Sequence, residues 1–99
     1  MRFWIHIETF DLGSPAEKAK KVLEEGAEAC EAARELFKRQ ELLGGSDHEG
    51  RERRHVLHEC CDAIQAAVNL MAYMGADQTE IDSVMEEVRC GNVQRGRYE

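Results

Sequence analysis

Two pairs of acidic residues in this sequence have the spacing of side chains that share one face of a helix. Glu25 and Glu28 are three positions apart, and so are Glu59 and Asp62. Glu24 adds a further acid four positions before Glu28. Residues three or four apart on a helix carry Cβ atoms about 5–6 Å apart. Each pair therefore offers two carboxylates to one site if both segments are helical.

The second pair lies in a segment that otherwise resembles the core of a helix. Residues 58–70, HECCDAIQAAVNL, are mostly apolar or small. A buried carboxylate without a partner is costly. Asn69 follows Asp62 by seven positions, two turns further along the same face. Acid pairs at this spacing are also common on solvated faces, so either these positions face water or a cation neutralises them.

Three helix starts carry the same signal, a capping side chain followed three residues later by glutamate. The caps are Ser14, Ser46 and Asp77, and Pro15 takes the first position of the first helix. Glycines that mark helix ends are Gly44, Gly45, Gly75 and Gly91. The sequence therefore predicts helices over about residues 15–43, 47–74 and 78–91.

This pattern predicts an all-α fold in one domain, residues 1–99. A short link between the first two helices predicts an antiparallel helical hairpin, to which the third helix is added. The second helix is apolar nearly all round from Val56 to Met74, which implies burial on most sides. We therefore expect a homodimer, or a tetramer, that completes a helical bundle.

The ends of the chain differ from the helices. Residues 1–13 form an N-terminal arm, in which the alternation of residues 3–7 predicts a short strand or an extended segment. Residues 92–99 form a basic C-terminal tail.

The predicted hairpin brings the two acid pairs to the same level. With the turn at about residue 45, Glu28 and Asp62 each lie 17 residues from it. The pairs are offset by about three residues, or about 4.5 Å at the helical rise, and packed helices lie about 8–10 Å apart. Four carboxylates can thus converge between the helices. Oxygen ligands favour a hard cation, Mg²⁺ first and Mn²⁺ second.

Composition narrows the class of protein. The net charge of −7 argues against binding to nucleic acid. No run of eighteen apolar residues predicts a membrane span, and the N-terminus does not read as a signal peptide, so we expect a cytoplasmic protein. We interpret the four cysteines as small apolar thiols rather than as disulfides or zinc ligands: Cys30, Cys60, Cys61 and Cys90.

At these acids the sequence resembles the MazG-like, all-α nucleoside triphosphate pyrophosphohydrolases. Residues 24–28 match the E-E-x-x-E half of their signature, and residues 59–62 match the E-x-x-D half. About 30 residues separate the halves, and Asn69 matches an asparagine that follows the second motif. The resemblance covers roughly residues 16–97.

The resemblance implies a dimeric or tetrameric helical bundle with Mg²⁺-dependent activity. The reaction would be hydrolysis of a nucleotide between the α and β phosphates, giving a monophosphate and pyrophosphate. The implied metal ligands are Glu25, Glu28, Glu59 and Asp62. The implied catalytic acids are Glu24 and Glu25, with Glu24 orienting or activating the attacking water.

The resemblance also points to residues that bind the nucleotide. Asn92 and Arg95 fit an N-x-x-R pattern with which family members contact phosphates, and Asn69 would extend toward the nucleotide. Many members have a lysine where this chain has Val88, with Arg89 beside it. Arg95 also fits a solvated basic C-terminus.

Recognition of the base is less marked in the sequence. Trp4 and Tyr98 are candidates for stacking on a base, although Trp4 is also typical of a core or dimer contact. We interpret Lys18 and Lys21 as surface residues.

Two other functions fit the same residues. One is a phosphoribosyl-ATP-type pyrophosphohydrolase, which uses a similar acid cluster. The other is a non-catalytic helical dimerisation module.

Overall fold

Three helices make up most of the structure, a computed structural model that describes residues 1–42 and 50–98. In chain order they are α1 (Pro15–Leu42), α2 (Gly50–Tyr73) and α3 (Gln78–Gln94). These two ranges contain no strand, so the predicted all-α class is confirmed. The arm, residues 1–13, has no regular secondary structure, and the short strand considered for residues 3–7 is not formed. The predicted cap at Ser46 and the glycine pair before it lie outside the described residues.

The first and third predicted caps are formed. The Ser14 hydroxyl accepts the Glu17 N–H at 3.1 Å, and the Ser14 N–H donates to Glu17 Oε1 at 3.1 Å. Hydrogen bonds to the Glu17 carboxylate from the Ser14 backbone and, to a smaller extent, from the Ser14 side chain hold the pKa of this carboxyl below its ordinary value. At the start of α3, the Asp77 carboxylate accepts the Glu80 N–H at 2.9 Å.

Glycines in the left-handed region end α2 and α3. After α2, Gly75 has φ +86° and its N–H donates to the Ala72 carbonyl, while the Ala76 N–H donates to the Met71 carbonyl. This pair of bonds is the Schellman arrangement.

The end predicted for the third helix is wrong by three residues. Gly91 was expected near the end of this helix, but α3 continues through it to Gln94. The chain leaves the helix at Gly96, which has φ +72°. The Gly96 and Arg97 N–H groups donate to the Val93 and Asn92 carbonyls, respectively. Asn92 is therefore a helix residue rather than part of the tail.

α1 and α2 pack against each other in antiparallel directions. Arg39, near the end of α1, pairs with Glu52, near the start of α2. At the opposite end, the Lys18 ammonium lies 4.5 Å from the centre of the Tyr73 ring. In the described ranges the buried apolar side chains are Leu36 and Ala66, both 7% exposed. The burial predicted around most of α2 is thus not provided by α1 alone.

α3 stands apart from this hairpin. Within the described part of the chain, no Cα atom of α3 comes within 8 Å of α1 or α2. Its apolar residues Val84, Met85 and Val88 are exposed. The radius of gyration is 16.3 Å, against about 13 Å for a compact domain of this length. The described helices do not close around one core.

The structure contains no helix, among the residues it describes, that is both long enough and apolar enough to span a membrane.

Candidate metal centre and adjoining cleft

The α1–α2 hairpin brings three of the predicted metal ligands together. One carboxylate oxygen from each of Glu25, Glu59 and Asp62 lies within 4.8 Å of the others. We call these three residues the acidic cluster. Glu25 lies on α1 and the other two on α2, so the cluster forms only when the two helices are packed. Glu59 and Asp62 are three residues apart on α2, so their side chains lie on the same face of the helix, as predicted.

Burial differs across the acidic cluster. The side chains of Glu25 and Glu59 are 12% and 17% exposed, whereas that of Asp62 is 46% exposed. The Glu59 Oε2 atom is inaccessible to water and has no hydrogen-bond partner among the described residues. A buried acceptor without a donor costs free energy, and a cation would recover it. The donor set is entirely oxygen, so the residues present fit Mg²⁺ or Mn²⁺.

Glu28 lies beside the acidic cluster. The negative charge of Glu25 raises the pKa of the Glu28 carboxyl above its ordinary value, and burial, the charge of Glu59 and a hydrogen bond with Glu25 add to this effect. The hairpin arithmetic put Glu28 level with Asp62, but the α1 acid grouped with Asp62 is Glu25, one turn earlier. The register of the two helices is the predicted one, because Arg39 meets Glu52 and Lys18 meets Tyr73. Glu25 joins the cluster because its side chain is buried toward α2, whereas Glu28 is exposed.

A lysine offsets part of this negative charge. The Lys21 ammonium lies 3.0 Å from Glu25 Oε1 and 4.0 Å from Glu24 Oε2. The hydrogen bond with Glu25, followed by the charge of that carboxylate, raises the pKa of Lys21. Lys21 has the surface exposure predicted for it. Glu24 also pairs with Lys20 at 3.7 Å, so this acid faces the lysines.

Two histidines on α2 pair with acids of the cluster. His55 Nε2 lies 3.8 Å from Glu59 Oε1, and His58 Nδ1 lies 3.4 Å from Asp62 Oδ2. Both imidazoles are exposed, one turn before their partners. They can orient the carboxylates from the solvent side.

A cleft of about 540 Å³ opens next to the acidic cluster. It is bounded by the start of α1, by the middle of α2 and by the arm. Residues of the arm that line it include Phe10 and Leu12, and Lys20, Lys21, Asp62 and Asn69 contribute from the helices. Its volume falls in the range of sites for small ligands, roughly 300–1,000 Å³.

Asn69, predicted to bind the nucleotide, lies in this cleft and holds the arm. Its Oδ1 atom accepts the Phe10 N–H at 3.1 Å and the Gln65 side-chain N–H at 2.8 Å. The Gln65 amide also donates to the Glu8 carbonyl at 3.1 Å. The sequence did not predict that Gln65 and Phe10 join the arm to α2. For Gln65, the available signal was its four-residue spacing from Asn69, which puts the two side chains on one face of α2.

Lys18 anchors the base of the arm. Its ammonium lies 2.5 Å from Asp11 Oδ1 and 2.5 Å from the Gly13 carbonyl, over the ring of Tyr73. The residue is only 6% exposed, so the surface position predicted for it is wrong. Lysine is buried here because its charge meets a carboxylate, a carbonyl and an aromatic face at once.

The residues predicted to grip phosphate from the C-terminal region lie elsewhere in this chain. Arg95 and Arg97 approach Asn92 Oδ1 at 3.5 and 3.0 Å. Arg89 lies 5.8 Å from the centre of the Tyr98 ring. None of these residues lines the cleft, and within the described ranges no Cα atom of α3, which carries Arg89 and Asn92, comes within 8 Å of α1 or α2.

Trp4 is also away from the cleft. Its side chain is 91% exposed on the arm, and it is not among the residues that line the cleft. The structure therefore brings together the acids predicted from α1 and α2, with Asn69, but not the residues predicted from the two ends of the chain.

Comparison with protein-family models, curated proteins and solved structures found no match for this chain. The resemblance to the MazG-like enzymes thus rests on the motif residues alone.

Proposed function

We propose that this protein is a Mg²⁺-dependent nucleotide pyrophosphohydrolase that converts an NTP or dNTP to the monophosphate and pyrophosphate. The observation that carries the proposal is the acidic cluster, whose oxygens lie within 4.8 Å of one another. One of its carboxylates holds a buried oxygen without a partner in the described residues. A cleft large enough for a nucleotide adjoins it.

The residues that would hold the ion are those of the acidic cluster together with Glu28. When bound, Mg²⁺ or its substitute Mn²⁺ offsets phosphate charge and lowers the pKa of a bound water. Hydrolysis adds water across the anhydride between the α and β phosphates, so that bond breaks and pyrophosphate leaves. The proton of the attacking water goes to a carboxylate, for which Glu24 is suited because it lies at the cleft and is 45% exposed.

Lysines at the cleft can bind the triphosphate. Lys21 is 58% exposed, so its ammonium can move from Glu25 to a phosphate oxygen at little cost once a cation reaches the acids. Lys20 lies on the same side of the cleft. Lys20 and Lys21 can thus bind phosphate within a single chain. The sequence prediction assigned this role to Arg89, Asn92 and Arg95.

In an oligomer, α3 would form part of the subunit interface. The exposed stripe of Val84, Met85 and Val88 supports the prediction of a homodimer or tetramer, because an apolar stripe on a helix is stable when covered. Such an oligomer can bring Arg89, Asn92 and Arg95 to the cleft of its partner. We retain these residues, with Tyr98, as proposed nucleotide contacts on that basis, and we retain the cytoplasmic location as a prediction.

Pyrophosphate release from a panel of NTPs and dNTPs tests the proposal. With Mg²⁺, we expect at least one nucleotide to give monophosphate and pyrophosphate, and Glu28→Gln to reduce the rate strongly. Phosphoribosyl-ATP belongs in the panel, since its exclusive cleavage would favour the related pyrophosphohydrolase. If no compound is cleaved, the enzymatic proposal fails.

One observation favours the non-catalytic dimerisation module. Only two apolar side chains in the described ranges are buried, while many large ones are exposed, as expected of a chain whose main role is to associate. Calorimetry distinguishes the two functions. A catalytic site should bind Mg²⁺ weakly alone and more tightly with nucleotide, whereas indifference to Mg²⁺ in both titrations favours the module.

A further inference from the structure

The geometry points to the N-terminal arm as the wall of the cleft that binds the base of the nucleotide, with Phe10 as the stacking surface. This inference rests on the proposed function, because it assigns the two ends of a nucleotide to the two ends of one cleft. It gives a specificity-determining role to a segment with no recognisable motif.

The two ends of the cleft differ in chemistry. At one end lie Glu25, Asp62 and Lys21, which suit a cation and phosphates. At the other end lie Phe10, Leu12 and Asn69, and the charges of Lys18 and Glu17, which also line this end, are already paired with Asp11 and Ser14. Asp62 and Asn69 are seven residues apart on α2, or about 10 Å along the helix. A nucleotide has the same division, with a polyanion at one end and a flat aromatic base at the other.

The arm is held at this position by its backbone. The Phe10 N–H and the Glu8 carbonyl bond to the side chains of Asn69 and Gln65, and Lys18 fixes the chain at Asp11 and Gly13. None of these bonds uses the Phe10 ring, which is 57% exposed at the cleft. The ring is thus free to stack on a ligand while the backbone that carries it stays in place.

Asn69 links the arm to recognition of the base. Its Oδ1 atom already accepts two N–H groups, from Phe10 and Gln65. The hydrogen-bonding capacity that this side chain can offer a ligand is therefore its Nδ2 donor. A donor beside an aromatic face can select bases that present an acceptor at their edge.

Equilibrium binding measures this role without requiring turnover. The probes are a nucleotide whose α,β bridging oxygen is replaced by methylene, and inorganic tripolyphosphate, each with Mg²⁺. Removing the ring in Phe10→Ala should weaken binding of the nucleotide by about 10-fold, as expected for loss of one stacking contact. Binding of tripolyphosphate, which has no base, should change less than about 2-fold if the phosphate end of the cleft is intact.

Three further variants complete the design. Phe10→Tyr keeps an aromatic face and should retain most of the affinity, whereas Phe10→Leu keeps apolar bulk and should lose it. Phe3→Ala removes another exposed aromatic of the arm that does not line the cleft, and should behave as wild type.

Several outcomes would overturn the inference. These are equal weakening of both probes by Phe10→Ala, no weakening of either, or a wild-type protein that binds the nucleotide no more tightly than tripolyphosphate. Loss of oligomeric mass in Phe10→Ala would assign the ring to a subunit contact instead. If Phe10-dependent binding is observed but no nucleotide is cleaved, hydrolysis fails while the base site stands.

Discussion

The α1–α2 hairpin and α3 are both helical, but they differ in what their side chains contact. In the hairpin, charged residues meet across the helix interface. Lys18 is 6% exposed and Glu25 9%, against 7% for the most buried apolar side chains. In α3, Val84, Met85 and Val88 are exposed, and the described polar contacts lie within the helix and its two caps. The hairpin thus carries a site, while α3 presents a surface.

Because of this difference, some predicted functional residues can act within one chain, whereas others need a second chain or a movement of α3. The acidic cluster needs only one chain, because α1 and α2 supply all three carboxylates. A role for Arg89, Asn92 or Arg95 at the same cleft needs a second chain or a movement of α3, because none of them lines the cleft and no described Cα atom of α3 comes within 8 Å of α1 or α2. Matched substitutions in the hairpin and in α3 therefore test whether the hairpin carries the site and α3 carries a surface for association.

The largest expected effect follows removal of a buried acid from the hairpin. Glu59→Gln should lower Mg²⁺-dependent nucleotide cleavage by more than about 100-fold, since even groups behind the ligands of a metal are worth about 10–100-fold. Initial rates of pyrophosphate release measure it. Glu31→Gln makes the same change at an exposed position of α1 and should retain activity. Equal loss in both variants would place the site elsewhere.

Packing in the hairpin gives the next effect. Leu36→Ala removes a side chain that is 7% exposed between α1 and α2, and should lower the free energy of unfolding by about 2–4 kcal/mol. Leu23→Ala, on the exposed side of α1, should change it by less than about 0.5 kcal/mol. Urea denaturation followed by circular dichroism compares them. Similar values for both would mean that the exposed face is covered by another chain.

Self-association tests the surface of α3. Val88→Asp puts a charge in the exposed apolar stripe, and should raise the dimer dissociation constant by at least about 10-fold because a buried unpaired charge is costly. Sedimentation equilibrium measures it. Ser83→Asp adds the same charge on the opposite face of α3 and serves as the control. A monomeric wild-type protein, or equal effects of the two changes, would remove the basis for assigning α3 to an interface.

Removing the caps of α1 and α3 should give the smallest effects on stability, and the two effects should differ in kind. Ser14→Ala removes the cap of a packed helix, and should lower the free energy of unfolding by about 1 kcal/mol at neutral pH. Asp77→Ala should instead fray α3 locally, with faster amide exchange there and little change in global unfolding. A global loss of stability in both would show that α3 folds with the hairpin.

The contribution of the cap at Ser14 should depend on pH. Its bonds lower the pKa of Glu17 in the folded protein, so their contribution is present above the ordinary carboxyl pKa and is lost as the pH falls through the lowered one. Ser14→Ala keeps the backbone N–H that bonds Glu17, so the variant for this test is Glu17→Gln, whose stability difference from wild type should shrink in acid. A difference that stays constant from neutral pH into acid would mean that Glu17 is not part of the cap.

Local signals in the sequence predict much of this fold. The caps at Ser14 and Asp77 and the stop at Gly75 are formed because each depends on a few neighbouring residues. The end of α3 was misplaced because Gly91 takes the ordinary helical conformation, whereas Gly96 takes the left-handed conformation that stops the helix. Glycine alone does not reveal which of these it does.

The site was predictable only where a motif and a helix interface coincide. Glu25, Glu59 and Asp62 follow from helical spacing together with the antiparallel hairpin. The burial of Lys18 and the position of Phe10 depend on where the arm turns back across α2, and no periodicity in residues 1–13 encodes that path. Lys18 was predicted to lie on the surface because the sequence does not show the residues that pair with its charge.

Binding of Mn²⁺ to the wild-type protein and to Glu59→Gln, followed by electron paramagnetic resonance of the free ion, tests the central claim most directly. The acidic cluster on α1 and α2 should bind Mn²⁺ in the wild type and in Glu31→Gln, and Glu59→Gln should weaken this binding by at least about 10-fold. Addition of Mg²⁺ should displace the bound ion. Equal binding of Mn²⁺ by wild type and Glu59→Gln would contradict the account.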